Sequence, residues 1–233
     1  MQPSPDGIDK LYRTRFQDAD RDAKARVWKV LVEQYFQRFV APGDAVLDLG
    51  CGFGEFLNFI RCARRVGVDL NSEGPRYLAP GVEFHQGSVC DLRFLAEGSV
   101  DVVFTSNLLE HLAGKHEVQQ LLEESRRVLK PGGQFIALGP NVRFLPGAYW
   151  DFWDHVVPLS ERSLAEILQA LDFEIVETVP KFLPYTTRSA LPQSAWLVAL
   201  YLKIRPAWRL LGRQFLVRAR KIERYDSKSQ KEV

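Results

Sequence analysis

Val46-Leu-Asp-Leu-Gly-Cys-Gly-Phe-Gly-Glu-Phe56 is the stretch that decides the fold of this chain. Residues 46–49 are mostly apolar and predict a buried strand. The G-x-G-x-G run at residues 50–54 lets the backbone turn sharply and lets a ligand approach with no Cβ in the way. Apolar residues at 56–60 then predict one face of a short helix. Strand, glycine turn and helix together open a nucleotide-binding βαβ unit, with an ordinary glycine-rich turn as the alternative.

Acidic residues lie at the ends of the next two predicted strands. Asp69 ends the second strand about 20 residues after the glycines, where a ribose diol finds its acceptor. A carboxylate accepts from both hydroxyls together. Asp91 lies just past the carboxyl end of the third strand, placed to accept from an adenine amino group. The alternatives are a turn that starts at Asp69 and a helix cap at Asp91 for residues 92–96.

Strands and helices alternate along the rest of the chain and predict a mostly parallel sheet with right-handed crossovers. Apolar residues within 28–39 repeat at helical spacing and predict a helix that covers the sheet. Ser160 is the expected cap of a helix that carries apolar residues at 164–171. The predicted strands are residues 45–49, 65–70, 82–86, 100–105, 134–138, 173–179 and 214–219.

Composition limits the classes of function. The 233 residues, 46% hydrophobic and 26% charged, suit one α/β domain with elaborations. A net charge of +2 without a basic stripe argues against nucleic acid. The three cysteines, Cys51, Cys62 and Cys90, show no disulfide framework, and no set of ligand side chains has metal-binding spacing. We therefore expect a cytoplasmic protein without a metal. Residues 1–10 are too polar for a signal peptide, and the longest apolar run, 195–202, is too short to span a bilayer.

With these residues identified, the chain resembles the class I S-adenosylmethionine-dependent methyltransferases over roughly residues 45–180. The resemblance implies a Rossmann-like α/β fold with a seven-stranded sheet of order 3-2-1-4-5-7-6, in which strand seven is antiparallel. An N-terminal helical cover and a helical insertion between strands six and seven complete the expected fold. The segments that carry the resemblance are Val46-Leu-Asp-Leu-Gly-Cys-Gly-Phe-Gly54, Gly67-Val-Asp-Leu70, Gly87-Ser-Val-Cys-Asp-Leu92, Ser106-Asn-Leu-Leu-Glu-His-Leu112 and Arg127-Val-Leu-Lys-Pro-Gly-Gly133.

The resemblance also implies a cofactor, S-adenosylmethionine, and its product, S-adenosylhomocysteine. It implies that the glycine turn cradles the methionine part and that Asp48 orients the amino group. It implies that Asp69 binds the ribose and that Asp91 binds the adenine amino group. It also implies that the backbone of Ser106-Asn107 lies near the methionine end. The full expected set of cofactor-binding residues is Asp48, Gly50, Cys51, Gly52, Asp69, Leu70, Ser88, Val89, Asp91, Ser106 and Asn107.

Charge around the glycines favours this cofactor over a nicotinamide dinucleotide. The sulfonium is positive and the cofactor has no phosphate, whereas a pyrophosphate site requires open amides and little negative charge nearby. Asp48 precedes the glycines and Glu55 follows them. The spacing is also G-x-G-x-G and not the G-x-G-x-x-G of dinucleotide enzymes. Both observations argue against a dehydrogenase.

Residues 141–158, between strand five and the next helix, predict a segment that contacts the acceptor. Tyr149, Trp153 and Asp154 are the expected substrate contacts, and a hydrophobic lid without chemistry is the alternative. A hydroxyl acceptor must lose its proton, and histidine is the usual base. His111 and His155 are therefore the candidate catalytic residues, with a structural role as the alternative for each.

The C-terminal half resembles methyltransferases of glycan-building enzymes, which indicates O-methylation of a sugar or a lipid-linked glycan. A non-catalytic S-adenosylmethionine-binding module that serves as a scaffold is the alternative. The apolar and basic residues 195–213 predict first a covering helix and second a segment at a membrane surface, here the inner face, with a dimer contact as a further alternative. The expected domains are residues 1–44 (arm and covering helix), 45–221 (methyltransferase domain, with the insertion at 180–213) and 222–233 (flexible tail).

Overall fold

The chain forms a seven-stranded mixed sheet with helices on both faces, in a computed structural model that describes residues 18–145, 147–185 and 194–223. Most of the predicted N-terminal arm and of the predicted tail lies outside the described residues. The strands are β1 (Ala45–Leu49), β2 (Arg64–Asp69), β3 (Val82–Gln86), β4 (Val100–Ser106), β5 (Leu129–Pro140), β6 (Phe173–Val179) and β7 (Gln214–Lys221).

The strand order is β3-β2-β1-β4-β5-β7-β6, which confirms the predicted topology. Strands β1 to β5 pair in parallel, and β7 runs antiparallel to both β5 and β6. Because β2, β1 and β4 are parallel neighbours, the residues that follow each of them meet at one edge of the sheet. Ligands of open α/β sheets bind outside such an edge.

Helices cover both faces of the sheet and bury a separate apolar cluster on each. The helices are α1 (Asp18–Gln34), α2 (Lys115–Val128), α3 (Glu161–Ala170), α4 (Ala195–Lys203) and α5 (Arg205–Leu211). Leu47 and Leu49 face the cluster that contains residues of α2 and α3. Val46 faces the opposite cluster, which contains residues of α1, α4 and α5. The expected N-terminal cover and the expected helical insertion before β7 are thus both present.

Ser160 caps α3, as predicted. Its hydroxyl accepts from the Ser163 amide at 3.2 Å, and the Ser163 hydroxyl accepts from the Ser160 amide at 3.0 Å. This reciprocal pair satisfies two amide donors that a helix start leaves without partners. The cap fixes where residues 141–158 end and the helix begins.

The helix expected at residues 56–60 is wrong: consecutive turns connect β1 to β2. Gly54 takes a left-handed conformation, with φ at 80°, which interrupts a right-handed helix at its start. Only nine residues later, the Ala63 and Arg64 amides are already bonded to the Asp44 carbonyl. The burial that the apolar pattern predicted still holds, since Phe56, Leu57 and Ile60 are buried.

Strand β5 is longer than the predicted residues 134–138. It begins at Leu129, directly after α2. Its register against β4 shifts, because Val100 pairs with Leu129 and Val102 pairs with Gln134. Among the helices of the described residues, none combines the length and the apolar character needed to cross a membrane.

Candidate active site

The glycine turn (residues 50–54) lies tightly against the end of β2. The Gly50 and Cys51 amides both donate to the Val68 carbonyl, at 2.9 and 3.2 Å. Gly50 has φ at 71°, and a Cβ there would lie 2.8 Å from Leu108 Cδ1. The turn therefore requires glycine for its backbone conformation and for the space beside Leu108.

Asp69 ties the end of β2 to the glycine turn. Its Oδ2 accepts from the Gly52 amide at 2.7 Å and its Oδ1 from the Asn71 amide at 2.8 Å. Burial raises the pKa of the Asp69 carboxyl, and the hydrogen bonds from Asn71 and Gly52 oppose that rise. The predicted ribose acceptor thus lies against the glycine turn, with each oxygen already oriented by a backbone amide.

Three carboxyl groups surround the turn. Asp48 is buried, and its pKa is raised well above 3.8, first by burial and then by the charges of Glu55 and Asp69. Glu55 forms an ion pair of 2.6 Å with Lys24 from α1. Such a concentration of buried acid opposes a pyrophosphate and favours a cation. The residues fit S-adenosylmethionine, which would bring a sulfonium and an ammonium to Asp48, Glu55 and Asp69.

Asp91 is engaged by a neighbour. Both of its carboxylate oxygens accept from the Arg93 guanidinium, at 2.8 and 2.7 Å, which lowers the pKa of Asp91 to about 2. No helix forms at residues 92–96, so the alternative role as a helix cap is wrong. An adenine amino group at Asp91 would share the carboxylate with Arg93, and the adenine role stays a prediction.

The remaining cofactor candidates fall into two groups at the same sheet edge. Ser88 Oγ accepts from the Cys90 amide at 3.2 Å, Val89 is buried, and Leu70 is 57% exposed. After β4, Asn107 has φ at 50°, its amide donates to the Leu138 carbonyl, and its side chain donates to Ser106 Oγ. The positive φ holds the backbone after β4 beside the glycine turn, where Leu108 contacts Gly50.

The two predicted catalytic histidines lie together. The His111 and His155 ring centroids are 4.8 Å apart, although they come from different segments of the chain. His111 Nδ1 lies 3.1 Å from Asp154 Oδ2 and 3.1 Å from the Asp154 carbonyl oxygen. Burial lowers the pKa of His111, but the hydrogen bond that His111 donates to Asp154 and the charges of Glu110 and Asp154 outweigh burial, so the pKa is raised.

His155 is oriented by backbone. Its Nδ1 lies 2.6 Å from the Tyr149 carbonyl oxygen, so Nδ1 carries the proton and donates it. The lone pair of the ring is then on Nε2. These contacts make one polar site of His111, Asp154 and His155, which we call the histidine cluster.

Glu110 is a functional candidate that the sequence reasoning missed. Its carboxyl is buried, its Oε1 accepts from the Tyr149 hydroxyl at 2.8 Å, and its Oε2 has no hydrogen-bond partner among the described residues. Oε1 also lies 4.0 Å from His111 Nε2. Burial raises the pKa of Glu110, and the His111 charge opposes the rise. An acid within the otherwise apolar Leu108-Leu-Glu-His-Leu112 was the available signal.

The three expected substrate contacts differ from one another in their surroundings and exposure. Asp154 belongs to the histidine cluster, and Tyr149 is buried against Glu110, with its pKa raised by burial and by that carboxyl. Trp153 is 79% exposed, so its ring lies at the surface. The segment is anchored next to the cluster, because the Val156 and Val157 amides donate to the Glu110 carbonyl.

Comparisons with known proteins agree with this geometry. A family model described as a methyltransferase domain matches residues 47–137. A probable S-adenosylmethionine-dependent methyltransferase of Mycolicibacterium smegmatis is 32% identical over 169 residues, which cover 69% of this chain and 64% of the relative. A demethylmenaquinone methyltransferase of Symbiobacterium thermophilum is 29% identical over 182 residues, covering 67% and 71%. The chain thus spans less than two thirds of the first relative's length.

Solved structures agree on the fold. The putative methyltransferase in a complex with the Haloferax volcanii Trm112 activator has a TM-score of 0.65 at 21% identity, covering 88% of this chain and 93% of that one. The matched family model is consistent with three features of the structure: the glycine turn, the acids around it and the strand order. Residues 47–137 therefore form a methyltransferase domain, and the chain resembles the class I S-adenosylmethionine-dependent methyltransferases, whose cofactor is S-adenosylmethionine.

Proposed function

We propose that this chain transfers a methyl group from S-adenosylmethionine to a hydroxyl of a small molecule, a sugar or a lipid-linked glycan. One observation carries the proposal. His111 of the histidine cluster lies in the segment directly after β4, and Leu108 of the same segment contacts Gly50 of the glycine turn. A group that activates a hydroxyl therefore lies close to the place where the family holds the methyl donor.

The chain's own residues would position both reactants. The cofactor, when bound, supplies an electrophilic methyl on a positively charged sulfur. Asp48 and Asp69 hold its amino and ribose ends, and their carboxyls favour its positive charge. In the transfer, the methyl group would pass from the cofactor's sulfur to the acceptor oxygen, and an imidazole of the histidine cluster would take the hydroxyl proton. Positioning supplies much of the rate of such an in-line displacement, and the histidine cluster activates the hydroxyl.

The carboxylate neighbours support this role for the histidines. Asp154 and Glu110 raise the pKa of His111, so the imidazole is a better proton acceptor than an unperturbed one. Tyr149 fixes His155 through its carbonyl and Glu110 through its hydroxyl. Side chains that are held in this way lose little freedom when an acceptor binds.

The surface formed by residues 195–213 supports an acceptor that is attached to a lipid at the inner membrane face. Apolar side chains on α4 and α5 are exposed beside basic ones, a composition that lies favourably at an anionic interface. The exposed apolar residues there are Trp196, Leu200, Ile204, Leu210 and Leu211, and the exposed basic ones are Lys203, Arg205, Arg209 and Arg213. Flotation with anionic and with zwitterionic vesicles would test this contact. We expect the protein to float with the anionic vesicles only, and equal recovery with both would contradict the contact.

A quinol is a second acceptor class, favoured by one similarity. The relative from Symbiobacterium thermophilum is named a demethylmenaquinone methyltransferase. A quinol carries its hydroxyls on an aromatic ring attached to a lipid tail, as a lipid-linked glycan carries its hydroxyls on sugars attached to a lipid. Turnover assays with soluble sugars, lipid-linked glycans and short-chain quinols in parallel would distinguish these acceptors.

The function is tested by turnover together with cofactor binding. We expect His155→Ala to lower methyl transfer and to leave the affinity for S-adenosylhomocysteine unchanged in titration calorimetry. His116→Ala, at an exposed histidine on α2, is the matched control and should change neither. Unchanged turnover in His155→Ala would move the activating role to His111 or to no side chain.

The alternative, a non-catalytic binding module, makes the opposite predictions. Such a module would bind the cofactor and show only slow turnover with every acceptor fraction. Its partner binding would also survive Asp69→Ala. Methyl transfer to any acceptor class at rates that depend on His155 would exclude it.

A further inference from the structure

We propose that His111, Asp154 and His155 bind one divalent transition-metal cation. Each of these side chains offers a ligand atom, and the three atoms lie within 4.8 Å of one another. All three side chains are partly exposed, so a cation can enter and keep open positions for water or an acceptor. Sequence spacing did not reveal the set, because Asp154 and His155 come from a segment far along the chain from His111.

The distances suit coordination. His111 Nδ1 and Asp154 Oδ2 are 3.1 Å apart. Two ligands on a tetrahedral zinc with bonds of about 2.0–2.1 Å lie about 3.3–3.4 Å apart. The three atoms, which lie within 4.8 Å of one another, would therefore draw closer when a cation binds. A cation here would replace the proton that His111 Nδ1 and Asp154 share.

The surroundings resemble the outer shell of a metal site. His155 Nδ1 is bonded to the Tyr149 carbonyl at 2.6 Å, which leaves the lone pair on Nε2. Metal-binding histidines commonly use the second ring nitrogen in this way, which fixes the tautomer and the ring orientation. The same Tyr149 holds Glu110 through its hydroxyl. One residue thus orients both an imidazole of the cluster and the carboxyl beside it.

Glu110 supplies a second, independent argument. Its carboxyl is 2% exposed, and its Oε2 has no partner among the described residues. A buried carboxylate is costly unless a positive charge lies near it. The adjacent charged candidates are His111, at 4.0 Å, and the Asp154 carboxylate, which is itself negative. A divalent cation in the histidine cluster would offset both carboxylates.

The donor set indicates the kind of cation. Two imidazoles with one carboxylate are typical ligands of zinc, iron, nickel and copper, whereas magnesium and calcium prefer oxygen donors alone. We therefore expect Zn²⁺ to bind more tightly than Mn²⁺, and Mn²⁺ more tightly than Mg²⁺.

The consequence for chemistry rests on the proposed function, although cation binding itself does not. A cation lowers the pKa of a hydroxyl that it binds. An acceptor hydroxyl at the histidine cluster would then lose its proton to water before transfer. The imidazoles would act as ligands and not as bases, so turnover would depend on the metal and on His155 together.

The test measures metal directly, on the tag-free full chain after chelator treatment, with no cofactor or acceptor present. Zinc is titrated against a chromophoric chelator, and cobalt is added separately for its visible absorption. We expect one zinc per chain. His155→Ala and Asp154→Asn should weaken zinc binding by about 10- to 100-fold or more and abolish the cobalt spectrum. His116→Ala and Asp151→Asn are the matched controls at exposed positions and should bind as the wild type does.

Equal zinc affinity in His155→Ala and the wild type, or no binding to the wild type at millimolar zinc, would overturn the proposal. Cofactor titration and turnover are measured on the same preparations, so that the two proposals fail separately. Methyl transfer by chelator-treated protein without bound zinc would overturn the role of the metal in transfer and leave the methyltransferase proposal standing. Zinc binding without transfer to any acceptor would do the reverse.

Discussion

The Gly52 amide donates a 2.7 Å hydrogen bond to Asp69 Oδ2 and so joins the glycine turn to the end of β2. The Asn71 amide holds the other oxygen of the same carboxylate at 2.8 Å. The acid that is expected to accept the ribose hydroxyls therefore also sets the shape of the turn that holds the methionine part.

We expect Asp69→Ala to weaken cofactor binding by about 1–3 kcal/mol, because a charge-assisted pair of hydrogen bonds is lost. Titration calorimetry with S-adenosylhomocysteine measures the change. The affinity of Asp69→Asn, which keeps one acceptor oxygen and loses the charge, should lie between that of the wild type and that of Asp69→Ala. Glu83→Ala, an acid on β3 that pairs with Arg64, is the control and should bind normally. Unchanged affinity in Asp69→Ala would rule out the ribose role.

Gly50 and Gly98 form a matched pair for the glycine turn. Both have positive φ, 71° and 61°. A Cβ at Gly50 would meet Leu108, whereas a Cβ at Gly98 would have no atom of the described residues within 4 Å. Each change to alanine should reduce the free energy of unfolding by about 1–2 kcal/mol, the cost of a left-handed side chain. Only Gly50→Ala should also weaken cofactor binding. Urea unfolding and calorimetry on both variants measure the two effects, and equal cofactor affinities would contradict the prediction.

Tyr149 and Glu110 should be energetically coupled. The Tyr149 hydroxyl is the donor to buried Glu110 Oε1 at 2.8 Å. Tyr149→Phe should reduce the free energy of unfolding by about 1–3 kcal/mol, because it leaves the carboxyl without that donor. A double-mutant cycle with Glu110→Gln, measured by urea unfolding, should give a coupling energy of about 0.5–3 kcal/mol. Additive effects would show that the contact contributes nothing.

Asp48 should make the protein less stable as the pH rises. Its pKa is above 3.8 in the folded chain, because of burial and then the charges of Glu55 and Asp69. Between the unfolded and folded pKa values the native state binds more protons, so stability falls with increasing pH. Asp48→Asn removes this term. The variant's free energy of unfolding, relative to the wild type, should therefore increase from about pH 4 to pH 7. A constant difference across that range would contradict the buried acid.

The sequence by itself determined the features that depend on neighbouring residues. The apolar pattern of β1 and the glycines after it predicted a strand and a turn, because alternation and positive φ are local properties. Ser160 could be recognised as a cap since its partner is three residues away. Asp69 was placed by its distance from the glycines along a βαβ unit. The strand order itself came from the family resemblance.

Local pattern also failed where a local conflict decided the outcome. Residues 56–60 have helical spacing, but Gly54 and the early bonds to Asp44 leave no room for a continuous helix. The helix cap that was the alternative for Asp91 did not form either, and its carboxylate instead accepts from Arg93, two residues away.

Only the tertiary structure decided the composition of the histidine cluster. His111 and Asp154 are 43 residues apart, and no periodicity relates positions so distant. They meet because the segment after β4 and the segment after β5 lie side by side at one edge of the sheet. Burial decided the rest: it left Glu110 Oε2 without a hydrogen-bond partner among the described residues and left Trp153 at the surface. Burial and long-range contact depend on the packing of the whole chain, which residue types at short spacing do not specify.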